Sequence, residues 1–479
     1  MAGGRRERFA ALKYDEVLPA LADKAVQYGG TSVGESDLSS LGLTEDAVKC
    51  YADHGIVQLF PWQRDCLCLP GVLAGERNLV YAAPTSAGKT LVAEIILLKR
   101  VLETGKRGLF ILPFISVAKE KLLYLHSLYR SVGIQVQGYM GTLNPAGGMH
   151  SWDVAVCTIE KANSLVNRLL EEDAVSSLGI IVVDELHLVK DRHRGKILEL
   201  LLSKLLYHVK QQQCAHGLAN SIQIIGMSAT LPNIDLYSKW LRSEIFRTDF
   251  RPVPLTEYLF SNGKFYAKNF EFVRSLPNDF VLPNDNENVV GLCLETVLSG
   301  CGVLVFCSTK AWCERLAVLI AEAIKQLLSC SGSLTAKLSA LIESEKQRHF
   351  MDSFLTIAGV MDPVLRSTLP YAVGFHHAGL TMEERERLEN GFRKSLVRIL
   401  VATSTLSSGV NLPAKRVIIR APWGDPTKSG PCLDSYMYKQ MTGRAGRKGL
   451  DTQGRVPILL ILQIELPKAG VGVFAECRQ

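Results

Sequence analysis

The run Ala83-Pro84-Thr85-Ser86-Ala87-Gly88-Lys89-Thr90 joins a short apolar segment, Leu79–Ala82, to Leu91-Val92-Ala93-Glu94, which continues as a helix. It fits a phosphate-binding loop with Ala in place of the first Gly. A strand that stops abruptly, a loop and a helix start together present backbone N–H groups to the β- and γ-phosphates of a nucleotide. Lys89 would neutralise those phosphates and the Thr90 hydroxyl would ligate Mg²⁺. The competing reading is an ordinary strand-to-helix turn.

A second set lies further on. Leu178-Gly179-Ile180-Ile181-Val182-Val183 reads as an apolar strand that ends in Asp184-Glu185-Leu186-His187. A carboxylate at a strand end beside a phosphate loop is where Mg²⁺ has to be held, so Asp184 is the metal candidate. Glu185 then orients and deprotonates the attacking water. His187 is expected between the nucleotide and the second half of the chain. A zinc reading of His187 and His193 fails on spacing and for want of cysteine.

Ser228-Ala229-Thr230 ends the next apolar run. Its two hydroxyls can bond the acidic pair and relay nucleotide state, or they can cap a helix ahead of Leu231-Pro232. In the second half, Gln440-Met441-Thr442-Gly443-Arg444-Ala445-Gly446-Arg447 follows an amphipathic stretch. Arg444 and Arg447, three apart, are expected on one helical face, from which two guanidinium groups reach a triphosphate. A basic turn that binds phosphate nonspecifically is the alternative. Upstream, Thr403 to Asn411 is rich in hydroxyls and glycine.

These groups need a frame. Apolar runs too short for helices recur at Asn78–Ala83, Gly108–Leu112, Val154–Thr158, Ile180–Asp184 and Ile222–Met227, with helical stretches such as Thr90–Leu102 and Ile159–Glu171 between them. The alternation predicts a parallel sheet with helices on both faces. A second series, Val303–Cys307, Ala372–His376, Arg398–Thr403, Arg416–Arg420 and Ile458–Leu462, predicts a second domain of the same α/β kind. The expected organisation is an N-terminal extension over 1–52, a first domain over 53–250, a connector with a short strand over 251–292, a second domain over 293–465 and a tail over 466–479. The second domain carries a helical insertion at 326–366, whose polar and basic residues are most simply a solvated face.

Composition agrees. The chain has 479 residues, 47% of them hydrophobic and 21% charged, which is ample for packed cores and too few charges for a disordered polyelectrolyte. At roughly 150 residues per domain, three domains or fewer are expected. Its 54 Lys and Arg against 47 Asp and Glu leave +7, an excess that permits a nucleic-acid partner without demanding one. Twelve scattered cysteines, with only Cys66 and Cys68 close together, point to reduced thiols and to cytosol or nucleus. No apolar run approaches the roughly 20 residues of a membrane helix, and no secretory signal opens the chain.

Taken in order, these motifs resemble those of the superfamily 2 DExH helicases. Carrying the resemblance are Gln63, the phosphate loop, Leu112 to Lys119, Thr158 to Lys161, Asp184 to His187, Ser228 to Thr230, Val303 to Lys310, His376 to Gly379, Thr403 to Asn411 and Gln440 to Arg447. The match covers about residues 55 to 455. Within that superfamily the wording is similar to helicase-like domains of the DNA polymerase theta family, with HELQ-type repair helicases next. The resemblance implies two tandem RecA-like (P-loop NTPase) domains, ATP and Mg²⁺ as cofactors, and single-stranded or partly duplex DNA as partner. It further implies a nuclear role in double-strand-break repair through end joining at short homologies. By position, Gln63 would read the adenine; Ala83, Pro84, Thr85, Ser86, Ala87, Gly88, Lys89 and Thr90 would hold the phosphates. Gln440, Arg444 and Arg447 would face the γ-phosphate, with Arg447 as the finger, and Gly409 and Asn411 would line the same cleft. Lys119, Thr158, Lys161, Arg194 and Thr405 would touch the strand, mostly at phosphate.

Two departures accompany the resemblance. The family continues into winged-helix and helical-bundle domains that encircle the strand, so a truncated isoform or incomplete gene model is one expectation. Arg455-Val456-Pro457 and the tail from Lys468 do not follow the family pattern. The remaining alternatives are an RNA helicase of the same superfamily and a nucleic-acid-binding fragment whose hydrolysis is uncoupled from unwinding.

Overall fold

The computed structural model describes residues 38–142, 151–191, 193–216, 222–231, 233–283, 285–330, 333–342, 345–355, 361–406, 412, 414–420, 433, 435–445 and 458–462. The chain folds as two compact units: the first holds residues up to Tyr81 and Gly88–Arg247, the second Ala82–Ala87 and everything from Thr248.

In the first unit, helices α1 (Glu45–Asp53) and α2 (Pro61–Leu67) precede strand β1 (Asn78–Ala82) and helix α3 (Lys89–Thr104). There follow β2 (Arg107–Leu112), α4 (Ile115–Tyr129), β3 (Val136–Tyr139), β4 (Val154–Thr158), α5 (Ile159–Glu171), β5 (Leu178–Val183), α6 (Gly195–His216), β6 (Gln223–Ser228), α7 (Ile234–Leu241) and β7 (Ser243–Arg247). The sheet order is β3-β4-β2-β5-β6-β1-β7, with β3/β4, β4/β2, β2/β5 and β5/β6 parallel. All six residues of β5 are buried, as a strand covered on both faces must be. Each such Ile or Val contributes about 1.5–3 kcal/mol relative to exposure. Helix α3 ends where Gly105 takes a left-handed φ of 62° and returns its N–H to the Val101 carbonyl, the glycine C-cap expected of a helix that stops sharply.

The second unit opens with three strands, β8 (Thr256–Ser261), β9 (Lys264–Tyr266) and β10 (Phe272–Ser275), paired antiparallel in that order. The stretch read from sequence as a connector with a short strand therefore carries three short strands, joined to the sheet of the second unit. Then come α8 (Val289–Val297), β11 (Val303–Phe306), α9 (Lys310–Leu328), α10 (Ser333–Ile342), α11 (Glu345–Leu355), α12 (Pro363–Thr368), β12 (Val373–His376), α13 (Met382–Arg393), β13 (Ile399–Ala402), β14 (Arg416–Arg420), α14 (Ser435–Thr442) and β15 (Ile458–Leu462). The sheet order is β10-β9-β8-β15-β14-β11-β13-β12, parallel from β8 to β12. The last strand, β15, thus lies between β8 and β14. Its core includes Val303, Leu304, Val305 and Phe306, all of β11 and all at most 1% exposed.

Buried polar residues fix the second unit's framework. Arg416, 4% exposed on β14, donates to the Leu292 carbonyl (2.6 Å) and to Glu295 Oε2 (2.7 Å), both on α8. Arg274 on β10 also pairs with Glu295 (2.9 Å), so one carboxylate joins two strands to α8. Nine cysteines of the described residues are free thiols, and among those residues no helix is long and apolar enough to cross a membrane.

Candidate functional site

The carboxyl ends of β5, β6 and β1, neighbours in the first sheet, carry Asp184-Glu185, Thr230 and the phosphate loop. Topology alone therefore gathers three motifs that lie far apart along the chain. After β1 the loop turns tightly, with the Ala87 N–H reaching the Pro84 carbonyl at 3.2 Å. Ser86 and Gly88 both hold left-handed φ, 70° and 84°. Glycine is required at 88 for a second reason: a Cβ there would come within 2.7 Å of Gln63 Nε2. Helix α3 begins at Lys89, whose carbonyl accepts from the buried Tyr81 hydroxyl at 2.7 Å. One turn further along α3, Glu94 is 2% exposed and pairs with Lys121 of α4 at 2.6 Å, while the Tyr129 hydroxyl donates to its carbonyl. The helix that presents Lys89 and Thr90 is thus tied at its base by a buried ion pair, which the sequence reading did not identify.

Gln63 lies on α2 and is 2% exposed. Its Oε1 accepts from the Phe60 N–H (2.8 Å) and its Nε2 donates to the Gly88 carbonyl (2.8 Å). The amide keeps one lone pair and one N–H for a further partner. Gln63 is in this way joined to the phosphate loop by a direct hydrogen bond.

The acidic pair has unusual geometry. Asp184, at the end of β5, accepts from the Glu185 N–H at 2.8 Å. Glu185 adopts φ 52°, a left-handed conformation that costs a non-glycine residue of order 1 kcal/mol and concentrates at functional positions. Burial and the adjacent Glu185 carboxylate push Asp184 up to about 7, against the opposing pull of Lys89. Two crowded acids of this kind, and the hydroxyl of Thr90 at the start of α3, are hard-oxygen donors of the type that suits Mg²⁺, an ion held by one or two carboxylates plus substrate phosphates. The residues fit the cofactor the motif implies.

Beside Glu185 a short chain of hydrogen bonds begins at His187. His187, 9% exposed, places Nδ1 at 2.9 Å from Ser228 Oγ and 3.3 Å from Glu185 Oε2. Ser228 Oγ in turn donates to the Thr230 carbonyl at 3.0 Å. Because the serine proton is committed to that carbonyl, the imidazole must donate, and Nδ1 carries its hydrogen. The sequence reading expected the Ser228 and Thr230 hydroxyls to bond the acidic pair; the contact instead passes through His187.

Four residues expected at a strand lie near the carboxyl ends of β2 and β4. Lys119 is exposed on α4 and Lys161 is half-buried on α5. Thr158 is 4% exposed at the start of α5, which leaves its side chain little surface to offer. Arg194 donates to the Pro113 carbonyl (2.6 Å), pairs with Glu160 (3.3 Å) and stacks over Phe114 (5.2 Å). It acts in this structure as a brace between the loop after β2 and the start of α5.

In the second unit, Gln440 is 5% exposed on α14. That helix ends at Thr442; Gly443 and Arg444 form a turn, and Ala445 bridges Ala414. The expectation that Arg444 sits on a helical face is corrected. The Arg444 carbonyl is claimed by the Ala414 N–H (3.0 Å), which draws the chain out of helical register. Arg447, Gly409 and Asn411 lie outside the described residues. Thr405 is exposed in a short turn after β13, its hydroxyl 2.9 Å from that of Thr403. Beside it, at the end of β12, His377 stacks on Phe375, accepts the Gly379 N–H at Nδ1 (3.1 Å) and so donates from Nε2 to Glu314 of α9 (2.9 Å). His376 is likewise paired, with Glu389 of α13 at 3.0 Å.

Residues 63–237 match the DEAD/DEAH box helicase family and residues 336–449 match the helicase conserved C-terminal domain. The chain belongs to the superfamily 2 helicases. DNA polymerase theta of Mus musculus is 49% identical over 425 residues, which is 87% of this chain and 16% of that protein. Helicase POLQ-like of Homo sapiens is 39% identical over 423 residues, 85% of this chain and 36% of that one. ATP-dependent DNA helicase Hel308 of Pyrococcus abyssi is 31% identical over 423 residues, 88% of this chain and 53% of that one. The chain therefore spans between about a sixth and a half of these relatives' length. Its two α/β units have the tandem RecA-like fold of that superfamily.

Proposed function

We propose that this helicase chain is a DNA-dependent ATPase motor that moves along a single strand, and that it serves double-strand-break repair by end joining at short homologies in the nucleus. The hydrogen bonds from His187, whose Nδ1 lies 3.3 Å from the Glu185 carboxylate, to Ser228 and on to Thr230 carry the reading. They run from beside the group that would activate water to the loop after β6, where a change at the nucleotide can be passed on. The similarity to DNA polymerase theta and to Hel308, a DNA helicase by name, supports DNA over RNA.

In this mechanism, backbone N–H groups of residues 85–90 and the Lys89 ammonium hold the β- and γ-phosphates. Thr90 and Asp184 would hold Mg²⁺, which when bound offsets charge on the phosphate oxygens. Gln63 orients the adenine with the lone pair and N–H its two internal bonds leave free. Glu185, presented by its left-handed backbone, takes the proton of the attacking water. His187 is a positioning residue: its Nδ1–H steadies the Glu185 carboxylate from one side. Arg444 and Arg447 supply positive charge to the transferring phosphoryl group, and Gln440 supplies a hydrogen bond. Lys119, Lys161, Arg194 and Thr405 offer sequence-independent contacts to the strand backbone.

The test is ATP hydrolysis with no nucleic acid, with single-stranded DNA and with RNA homopolymer, for the wild-type chain and for Glu185→Gln. The expected result is stimulation by DNA but not RNA, abolished by the substitution. Equal low rates in all arms would refute the motor; stimulation by RNA alone would make it an RNA helicase.

A further inference from the structure

A groove in the second unit lies apart from every motif discussed above. It runs between α11 of the helical insertion and α13, and none of the eight residues lining it is acidic. Lys346, His349 and Phe350 fall at i, i+3 and i+4 on α11, one helical face. Arg387, Asn390 and Lys394 fall at i, i+3 and i+7 of the facing helix, the last just past its end. The two rows confront each other across the groove.

The approach of the helices is built in. Gly391 of α13 receives the Phe350 ring, and a Cβ at that position would run into it. Phe350 in turn packs edge-on against the buried Phe354, with centroids 5.2 Å apart. Gln347, 5% exposed, fastens α11 to the Leu369 carbonyl at 3.2 Å. The apolar contact thus forms the floor, while Lys346, His349 and Lys394 are exposed at the rim.

Its place in the fold separates it from the motif-bearing edge. Helix α13 starts after His377, at the carboxyl ends of β12 and β13, and finishes before β13 begins at Ile399. Lys394 and Leu396 therefore lie toward the amino ends of the strands, away from His376, Thr403 and Thr405. The groove is open rather than enclosed, with an apolar floor and with Lys346, Arg387, Asn390 and Lys394 among its lining residues. Two lysines and an arginine suit phosphate oxygens; of the two rings in the lining, Phe350 is packed against Gly391 and the His349 imidazole is exposed.

We propose that this groove is a second phosphodiester track, which takes the backbone of a nucleic-acid strand without regard to sequence. It rests on the reading of the chain as a nucleic-acid motor. Its use would be to hold strand that has left the motif-bearing edge, or has not yet reached it, and so lengthen each binding event.

The test uses the whole chain and a labelled oligothymidylate. Lysine acetylation followed by mass spectrometry should show Lys346 and Lys394 protected at saturating strand. Anisotropy titrations over a range of salt should show log K against log[salt] less steep in Lys346→Ala/Lys394→Ala by about 1.4, at about 0.7 for each phosphate no longer neutralised. Thermal melting checks that the variant is folded, and the acetylation arm needs no variant. Arg387 is left in place because Glu383 precedes it by one helical turn. Undiminished acetylation of both lysines in a chain that binds the strand would overturn the groove and leave the motor intact. Protection by a polyglutamate peptide but not by the strand would also overturn it, in favour of an acidic protein partner. Failure of the wild-type chain to bind any strand would remove both readings together.

Discussion

Removal of one buried hydroxyl should slow hydrolysis without weakening nucleotide binding. In Ser228→Ala, His187 Nδ1–H loses its 2.9 Å acceptor, with Glu185 Oε2 3.3 Å away. The imidazole then closes on the carboxylate and competes for the lone pair that takes the water's proton. Ser228 is fully buried, so no solvent replaces it. An internal hydrogen bond of this kind is worth about 1–2 kcal/mol, which corresponds to roughly a 5- to 30-fold fall in kcat at tenfold per 1.36 kcal/mol. KM for ATP should hold, because the hydrogen bonds of Ser228 go to His187 and Thr230 and not to the phosphate loop or Gln63. The measurement is steady-state hydrolysis with saturating single-stranded DNA for Ser228→Ala, His187→Ala and the double variant. Since both residues act through one hydrogen bond, the double variant should be no slower than His187→Ala. Multiplicative losses, or a loss carried by KM with kcat intact, would refute this coupling.

Two further outcomes follow from packing and charge. Gly88→Ala places a methyl group against the Gln63 amide at a φ of 84°, a conformation that costs an L-residue about 1–2 kcal/mol; ATP affinity measured by calorimetry should fall at least tenfold while the circular dichroism spectrum is retained. Glu295 feels burial, which raises its pKa, yet Arg274 and Arg416 outweigh it and hold the carboxyl below its ordinary 4.5. A depressed carboxylate contributes stability above its unfolded pKa and loses it as pH falls through the folded one. Urea melts of wild type and Glu295→Gln should therefore differ most near neutrality and converge below about pH 4.5; a constant gap down to pH 3 would contradict this.

The ten strands read from apolar runs all occur, because a buried parallel strand leaves a contiguous signal whose ends are marked by turn residues. Val154–Thr158, Arg416–Arg420 and Ile458–Leu462 match residue for residue. Missing from that reading were β3 and β7. Val136-Gln137-Gly138-Tyr139 alternates weakly, and no residue of Ser243–Arg247 is fully buried, so neither has the composition of a core strand. The hairpins β8 to β10 were hidden by the Asn, Asp and Pro around them. At the site, residue types and spacing exposed the phosphate loop and the acidic pair, since the chemistry is local there. The His187–Ser228 bond and the Glu94–Lys121 pair join residues 41 and 27 positions apart and depend on sheet order, which spacing does not encode. The turn at Arg444 escaped for the opposite reason: a tertiary bond to Ala414 overrides a helical pattern that would otherwise have continued.

Strand order in the second unit has a bearing on biosynthesis. Sheet continuity between β8 and β14 depends wholly on β15, which is translated about two hundred residues after β8. At roughly 5–20 residues per second, the ribosome needs about 10–40 s to deliver it. From the emergence of β14 until β15 arrives the nascent chain displays two unsatisfied strand edges, one of them lined by Val417, Ile418 and Ile419. Such edges recruit foreign strands, so the closing segment Ile458–Leu462 sets how long this chain depends on chaperones.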